Sequence, residues 1–356
     1  MQPSRRNGSH HVKQILQNAW RKRGWLACLL WPLAQAYGLV VQLRWVLYRR
    51  HILRSEHFGV PVVVVGNVIA GGAGKTPLVI ALVKHLQAQQ VRVGVVSRGY
   101  GRHGTDCLEV VPGASPHLTG DEPALIRRAT GAPVFVAGKR ADAVRALLAA
   151  YPATSVIVCD DGLQHYALHR DIEIAVFDDR GVGNGWLLPA GPLREPWPAR
   201  ERLGLSFVLH TGQNPAFEGF VSTRKLGSEA YSARGEPVLL ASLRDRPLAA
   251  LAGIANPEAF FGMLREAGLT LQATTALPDH HHFTDQDLEA EALKGRVVLC
   301  TEKDAVKLFA LPGMSRREVL AVPLVFSPEP AFFAALDARL APLISPLPSG
   351  HGHQTA

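Results

Sequence analysis

Along most of the chain, short apolar runs alternate with longer stretches of helical periodicity. Val60 to Val65, Val91 to Val96, Pro133 to Ala137, Ser155 to Cys159 and Ile172 to Phe177 are compact runs dominated by β-branched residues. Runs of that length read as strands buried on both faces. Between them, Leu78 to Gln87, Pro123 to Thr130 and Arg140 to Ala150 carry the spacing of helices. Strand–helix alternation predicts an α/β fold with a mostly parallel sheet covered on both faces. Ligands of such sheets sit beyond the C-terminal strand ends. The loops at 97–102, 160–165 and 178–196 are therefore expected to converge on one site.

The rhythm loosens between 210 and 235, where Gly212-Gln213-Asn214-Pro215, Gly227 and Gly235 fall. A second set of α/β signals follows. Leu251 to Ile254 precedes Asn256-Pro257-Glu258 and a helix to Ala267, and Val297 to Cys300 precedes Thr301-Glu302-Lys303-Asp304 and another helix. The expected organisation is an N-terminal arm at 1–54, a first α/β domain at 55–225, a smaller α/β domain at 226–345 and a disordered tail at 346–356. A chain of 356 residues is long enough for two such domains.

Charge sets the arm apart. Arg5, Arg6, Lys13, Arg21, Lys22, Arg23, Arg44, Arg49, Arg50 and Arg54 lie in it, and Glu56 is the first acid of the chain. Beyond the arm, basic and acidic residues nearly balance. The net charge of +8 thus belongs to the arm and not to a basic face on the fold, which argues against nucleic-acid binding. Gly24 to Leu43 holds no charge but carries Trp25, Trp31 and Tyr37 between basic flanks. Its 20 residues match the ~20 that span a bilayer. Pro32, Gly38, Gln35 and Gln42 interrupt or dilute it, and basic residues on both sides give no inside–outside asymmetry. An element lying on an anionic membrane surface is the expectation, against a helical hairpin buried on the body. Cys28, Cys107, Cys159 and Cys300 are scattered, form no C-x-x-C pair, and suit a reducing compartment.

The chemistry is announced after the first strand. Gly66-Asn67-Val68-Ile69-Ala70-Gly71-Gly72-Ala73-Gly74-Lys75-Thr76-Pro77 joins a buried strand to a helix. Strand, Gly-rich turn and Lys-Thr opening a helix make the phosphate-cradling loop. Glycines let backbone N–H groups close on phosphate oxygens, and the helix N-terminus adds its positive end. Residues Ile69, Ala70, Gly71, Gly72, Ala73, Gly74, Lys75 and Thr76 are thus expected to hold a nucleotide's phosphates, with Lys75 at the β/γ-phosphates and the Thr76 hydroxyl on Mg²⁺. Ile69 stands where the usual pattern has its first glycine.

Acids supply the rest. Val156 to Asp161 is an apolar strand ending in two carboxylates, the form of an element whose acid helps to hold Mg²⁺. Asp161-Gly162-Leu163-Gln164-His165 follows as a polar loop. Gly120-Asp121-Glu122-Pro123 reads either as a helix start with first-turn acids or as a base beside a metal-linked acid. Gly191-Pro192-Leu193-Arg194-Glu195-Pro196 joins a charge-stabilising arginine to another acid. Asp279-His280-His281-His282 lacks the spacing of a zinc site.

Together these segments closely resemble the tetraacyldisaccharide 4'-kinase family of lipid A biosynthesis, over nearly the whole length. The resemblance rests on the phosphate loop, Val95-Val96-Ser97-Arg98-Gly99-Tyr100-Gly101, Gly120 to Pro123, Asp160 to His165, Gly191 to Pro196, Asp279-His280 and Thr301-Glu302-Lys303-Asp304-Ala305. Leu163 stands where Phe is frequent. The resemblance implies two α/β/α domains, the first P-loop NTPase-like, and an N-terminal element on the cytoplasmic face of the inner membrane. It implies transfer of the ATP γ-phosphate to the 4'-hydroxyl of an acylated disaccharide 1-phosphate, giving lipid IVA. The acid matching Asp121 is then the base, assisted by His280, with Lys75 and Arg194 at the phosphate. Thr76, Glu122, Asp160 and Glu195 are the expected Mg²⁺ residues, and Asn67, Arg98, Asp161 and His165 the expected substrate contacts. Beyond the lipid substrate and the membrane, no protein partner is indicated. The main alternative is a membrane-associated switch ATPase or GTPase. Against it stand Ala70, where positioning ATPases carry a lysine, and the absence of a guanine-reading [NT]-K-x-D.

Overall fold

In the computed structural model, residues 18–198, 205–279, 281–312, 314 and 317–344 are described. The chain enters through one long helix, α1 (Trp25–Arg49), and then builds a sheet. In chain order the elements are β1 (Val62–Gly66), α2 (Lys75–Ala88), β2 (Val93–Ser97), β3 (Leu108–Glu109), α3 (Pro116–Thr119), α4 (Asp121–Thr130), β4 (Val134–Val136), α5 (Arg140–Ala150), β5 (Val156–Asp160), β6 (Ile172–Phe177), β7 (Leu205–His210) and β8 (Phe220–Leu226). A second run follows: β9 (Glu229–Tyr231), β10 (Pro237–Leu239), β11 (Leu248–Ala252), α6 (Pro257–Glu266), β12 (Leu271–Ala276), α7 (Asp285–Leu288), β13 (Val297–Thr301), α8 (Glu302–Leu308), β14 (Val319–Val322), β15 (Leu324–Pro328) and α9 (Pro330–Leu340).

The first sheet has nine strands in the order β15-β8-β7-β6-β1-β5-β2-β4-β3. From β8 to β4 neighbouring strands run parallel, and only the edge strands β15 and β3 are antiparallel. β1, β2, β5 and β6 are buried along their whole length, as continuous Val/Ile runs demand of central strands covered on both faces. The parallel register aligns Val65 with Asp160, so the β1 and β5 ends open side by side.

The second sheet, β10-β9-β14-β13-β11-β12, has its own apolar core around Leu248, Phe261, Leu264 and Leu299. The expected second domain at 226–345 needs correcting here. The chain leaves the first sheet after Leu226, but β15 pairs antiparallel with β8, Leu324 opposite Leu226. The following α9 buries Phe332, Leu336 and Leu340 in the first core, and His85 meets Asp337 at 2.9 Å. The second unit is therefore an insertion that ends near residue 323, with both of its connections at one sheet edge. The expected tail at 346–356 lies outside the described residues.

Helix α1 runs unbroken through Pro32 and Gly38, so neither residue divides the apolar stretch as expected. A narrow strip meets the body. Ala27 and Ala34 are buried, the Tyr37 hydroxyl donates to Arg194 O at 2.8 Å, and Gly38 sits so close to Leu187 that a Cβ would collide with it. The rest is open: Trp25 is 79% exposed and Leu29, Leu33, Leu39, Val40 and Leu43 are exposed with it. This is one exposed helix and not a buried hairpin. It is long and apolar enough to cross a membrane. Arg5, Arg6 and Lys13 lie outside the described residues.

Candidate active site

The phosphate loop takes its shape from backbone geometry. Gly74 adopts φ +82° and Gly71 φ +97°, a left-handed region that strains any residue with a Cβ. Gly74 caps α2, and Lys75 and Thr76 open it, so the first-turn N–H groups point to the strand ends without intrahelical partners. Ile69 is buried, and it pairs as an isolated antiparallel bridge with Leu193, while Ala70 N–H donates to Pro192 O at 2.8 Å. Ile69 thus contributes backbone and a core plug, which explains a large residue at a position usually held by glycine.

The expected charged residues meet in one knot. Lys75 Nζ donates to Asn67 Oδ1 at 3.3 Å and lies 3.5 Å from Asp161 Oδ1. Arg194 Nη1 is also 3.5 Å from Asp161 Oδ1, and Arg194 N–H donates to Val68 O at 2.7 Å. Asp161 itself has φ +50°, an uncommon backbone for a non-glycine residue, and its carbonyl accepts from Arg140 Nη2 at 3.0 Å. Strand ends β1 and β5 and the 191–196 loop therefore converge as the sheet topology requires.

Asp160 is fully buried beside this knot. Burial, then the negative charges of Glu122 and Asp161, push its carboxyl up to about 7. Ser97 Oγ donates to its Oδ2 at 3.4 Å, and its Oδ1 has no hydrogen-bond partner. A divalent cation fits these residues: it would take the orphaned oxygen and relieve the crowded acids. Among the described residues no three His, Cys, Asp or Glu side chains form a ready cage. Of the expected metal residues, Asp160 and Glu122 lie together and Thr76 is buried at the loop's end. Glu195 Oε1 accepts from the Tyr166 hydroxyl at 2.8 Å.

Asp121 and Glu122 open α4 on the seam between the two units, and α4 packs against α8. Lys307 Nζ stands 2.6 Å from Asp121 Oδ2, and Lys303 Nζ lies 3.7 Å from Glu122 and 3.2 Å from Asp279. Burial works to lower the Lys303 amine, but Glu122 and Asp279 outweigh it and hold its pKa up. α8 is anchored by its own cap: Thr301 Oγ1 accepts from Asp304 N–H, and Asp304 Oδ2 takes the Thr301 hydroxyl and Gly253 N–H. The ring of His282 stacks on His117 with centroids 5.2 Å apart, again across the seam. His280 lies outside the described residues. On either side of it, Asp279 pairs with Lys303 and His281 O accepts from Lys307 at 3.0 Å.

His165, expected to contact substrate, is half-buried, and burial followed by the Arg140 and Arg170 charges lowers its pKa to about 4. Arg98 is exposed at the end of β2. Several site residues carried no expected role in the sequence. Lys303 was visible only as part of a motif and Lys307 not at all, and the i, i+4 spacing on a helix was the available signal. Arg180, which reaches Ala70 O and Gly72 O from beyond the end of β6, and Arg224, whose guanidinium stands against Gly74 from within β8, are far away in sequence and have no local pattern.

The profile of the family described as "Tetraacyldisaccharide-1-P 4'-kinase" matches residues 26–341. A "Tetraacyldisaccharide 4'-kinase" of Polaromonas naphthalenivorans is 70% identical over 344 residues, covering 97% of this chain and 100% of the relative. One of the same description from Acidovorax sp. is 54% identical over 342 residues, covering 96% and 97%. Among solved structures, "apo"-form LpxK from Aquifex aeolicus in complex with ATP matches with a TM-score of 0.77 at 28% identity, over 90% of this chain and 100% of the other.

Proposed function

The chain belongs to the tetraacyldisaccharide-1-P 4'-kinase family, and we propose from that premise how its site transfers the γ-phosphate of ATP to the 4'-hydroxyl of an acylated disaccharide 1-phosphate. The observation that carries the reading is the knot at Asp161, which ties phosphate-loop Lys75 and Arg194 to one carboxylate beside buried Asp160. The two cations are poised where charge develops on a transferring phosphoryl group. Asp160 and Glu122, with Thr76, would hold Mg²⁺, which would supply positive charge to neutralise the phosphates.

A sugar hydroxyl is a weak nucleophile, so a positioned base accelerates its attack. Asp121 takes that role: it lies at the seam, opens a helix, and is held by Lys307. His280 is assigned to assist it; its chain neighbours Asp279 and His281 both engage the lysines of α8. Asn67, Arg98, Asp161 and His165 are assigned to the acceptor sugar. With both units around the hydroxyl, water is kept from the phosphate and wasteful hydrolysis is limited.

The exposed face of α1 suits an enzyme whose acylated substrate stays in a bilayer. Apolar side chains with Arg44, Arg49 and Arg50 at one end match the chemistry of an anionic membrane surface on the cytoplasmic side. The assay for the whole reading is transfer from labelled ATP to a disaccharide 1-phosphate in mixed micelles. Label in the lipid is expected; label recovered only as free phosphate would sink the kinase mechanism.

A further inference from the structure

The carbonyls of the phosphate loop are held by side-chain donors, three of the four bonds coming from residues far along the chain. Four consecutive carbonyls each accept from a side chain. Ala70 O accepts from Arg180 Nη1 at 3.2 Å, Gly71 O from Asn67 Nδ2 at 2.9 Å, Gly72 O from Arg180 Nη2 at 2.7 Å, and Ala73 O from Thr211 Oγ1 at 2.8 Å. The donors come from three strand ends: Asn67 after β1, Arg180 after β6 and Thr211 after β7. Arg180 is itself locked by Asp178, with Nε 3.0 Å from both carboxylate oxygens and Nη2 2.7 Å from Oδ2.

The consequence follows from the planar trans peptide. Its C=O and N–H point in opposite directions, so a carbonyl fixed outward aims the next residue's N–H inward. Anchoring the carbonyls of 70 to 73 therefore fixes the direction of the N–H groups of Gly71, Gly72, Ala73 and Gly74 in the phosphate loop. Three of these four residues are glycine, the residue type with the most backbone freedom to lose. A loop of this composition left to itself would be ordered by the nucleotide at a cost in affinity.

We propose that Arg180 and Thr211 are positioning residues for the nucleotide, which fix the loop's N–H groups before ATP arrives, with Asp178 holding Arg180 in place. The inference rests on the loop being the ATP site. It assigns a role to two residues outside the loop and outside the acidic cluster, and it predicts an effect on ATP binding more than on the chemical step.

The test compares Arg180→Gln, Arg180→Lys, Asp178→Asn and Thr211→Val with the parent and with Lys75→Ala, in the full chain. Equilibrium binding of ATP and the KM for ATP are measured alongside kcat. Arg180→Gln is expected to raise both the Kd and the KM for ATP by roughly ten- to hundredfold, the range for losing a charge-assisted hydrogen bond. The kcat at saturating ATP should stay within about threefold, since the phosphate itself can order the loop once bound. Arg180→Lys, which keeps the charge but not the fork, should fall between Gln and the parent. Thr211→Val preserves shape and should raise the Kd severalfold; Asp178→Asn should follow Arg180→Gln in direction. Loss of kcat with unchanged ATP binding would overturn the proposal and place Arg180 on the transferring phosphoryl. Unchanged Kd, KM and kcat in both Arg180→Gln and Thr211→Val would also overturn it. Lys75→Ala separates the two levels: if it binds and transfers normally, the nucleotide site itself is misplaced, whereas a disabled Lys75→Ala beside normal Arg180 and Thr211 variants removes only this inference.

Discussion

Lys307 Nζ on α8 stands 2.6 Å from Asp121 Oδ2 at the start of α4, so the two sheets are joined at the carboxylate assigned as base. Both side chains are nearly buried. Replacing Asp121 by Ala is expected to lower kcat by roughly 10²–10⁴, the range for general acid–base catalysis, with little change in ATP affinity. Steady-state kinetics with both substrates varied checks this. A loss confined to ATP binding would make Asp121 a structural or metal-linked acid.

The same pair governs the seam. Lys307→Met leaves an almost buried carboxylate without its cation, and breaking such a pair is expected to cost up to about 3 kcal/mol. Lys307→Arg keeps the charge and should recover most of it. Denaturant midpoints of the three proteins measure the difference; a Met variant as stable as the parent would mean that the units are held together elsewhere.

Acid should loosen the fold through His165. Its pKa is lowered to about 4 by burial and by Arg140 and Arg170, against an ordinary value near 6.5. The unfolded chain therefore binds a proton in that window that the folded chain refuses, and stability falls as the pH drops from about 6.5 to 4. His165→Gln should flatten the profile between those limits; an unchanged slope in urea unfolding at each pH would assign the acid sensitivity to other groups.

Much of this arrangement was legible in the sequence. Val62 to Val65, Val156 to Cys159 and Ile172 to Phe177 are buried on both faces, so periodicity found them, and Lys75, Asp161 and Arg194 follow from the loops at those strand ends. What escaped was non-local. β8 has one buried residue, Ser222, and an exposed run of Thr223, Arg224 and Lys225, so a stretch of strand near the sheet edge read as a boundary. The return of β15 to β8 joins residues a hundred positions apart, which no window of sequence reports. Lys303 and Lys307 gain meaning only from the acids of α4, and Arg180 only from carbonyls more than a hundred residues upstream. Residue types told of chemistry where the chain was contiguous, and tertiary contact decided the rest.

The exposed side of α1 should be the membrane contact. Changing Leu29, Leu33, Leu39 and Leu43 together to Gln leaves the strip of Ala27, Ala34, Tyr37 and Gly38 intact. The parent is expected to float with anionic vesicles, less so at high salt, which screens the arginines. The variant should stay behind with an unchanged melting temperature. A variant that still floats would mean that another surface docks, and a parent released only by detergent, and not by salt or carbonate, would make α1 a spanning helix.

The central claim is that Lys75 and the acids around it move phosphate from ATP to a sugar hydroxyl of a lipid. The direct measurement follows γ-labelled ATP with a disaccharide 1-phosphate in mixed micelles, for the parent and for Lys75→Ala, and locates the label in the product. The account expects label on the 4'-hydroxyl with the parent and almost none with a folded Lys75→Ala. Near-normal transfer by Lys75→Ala, or label released only as inorganic phosphate by the parent, would contradict it.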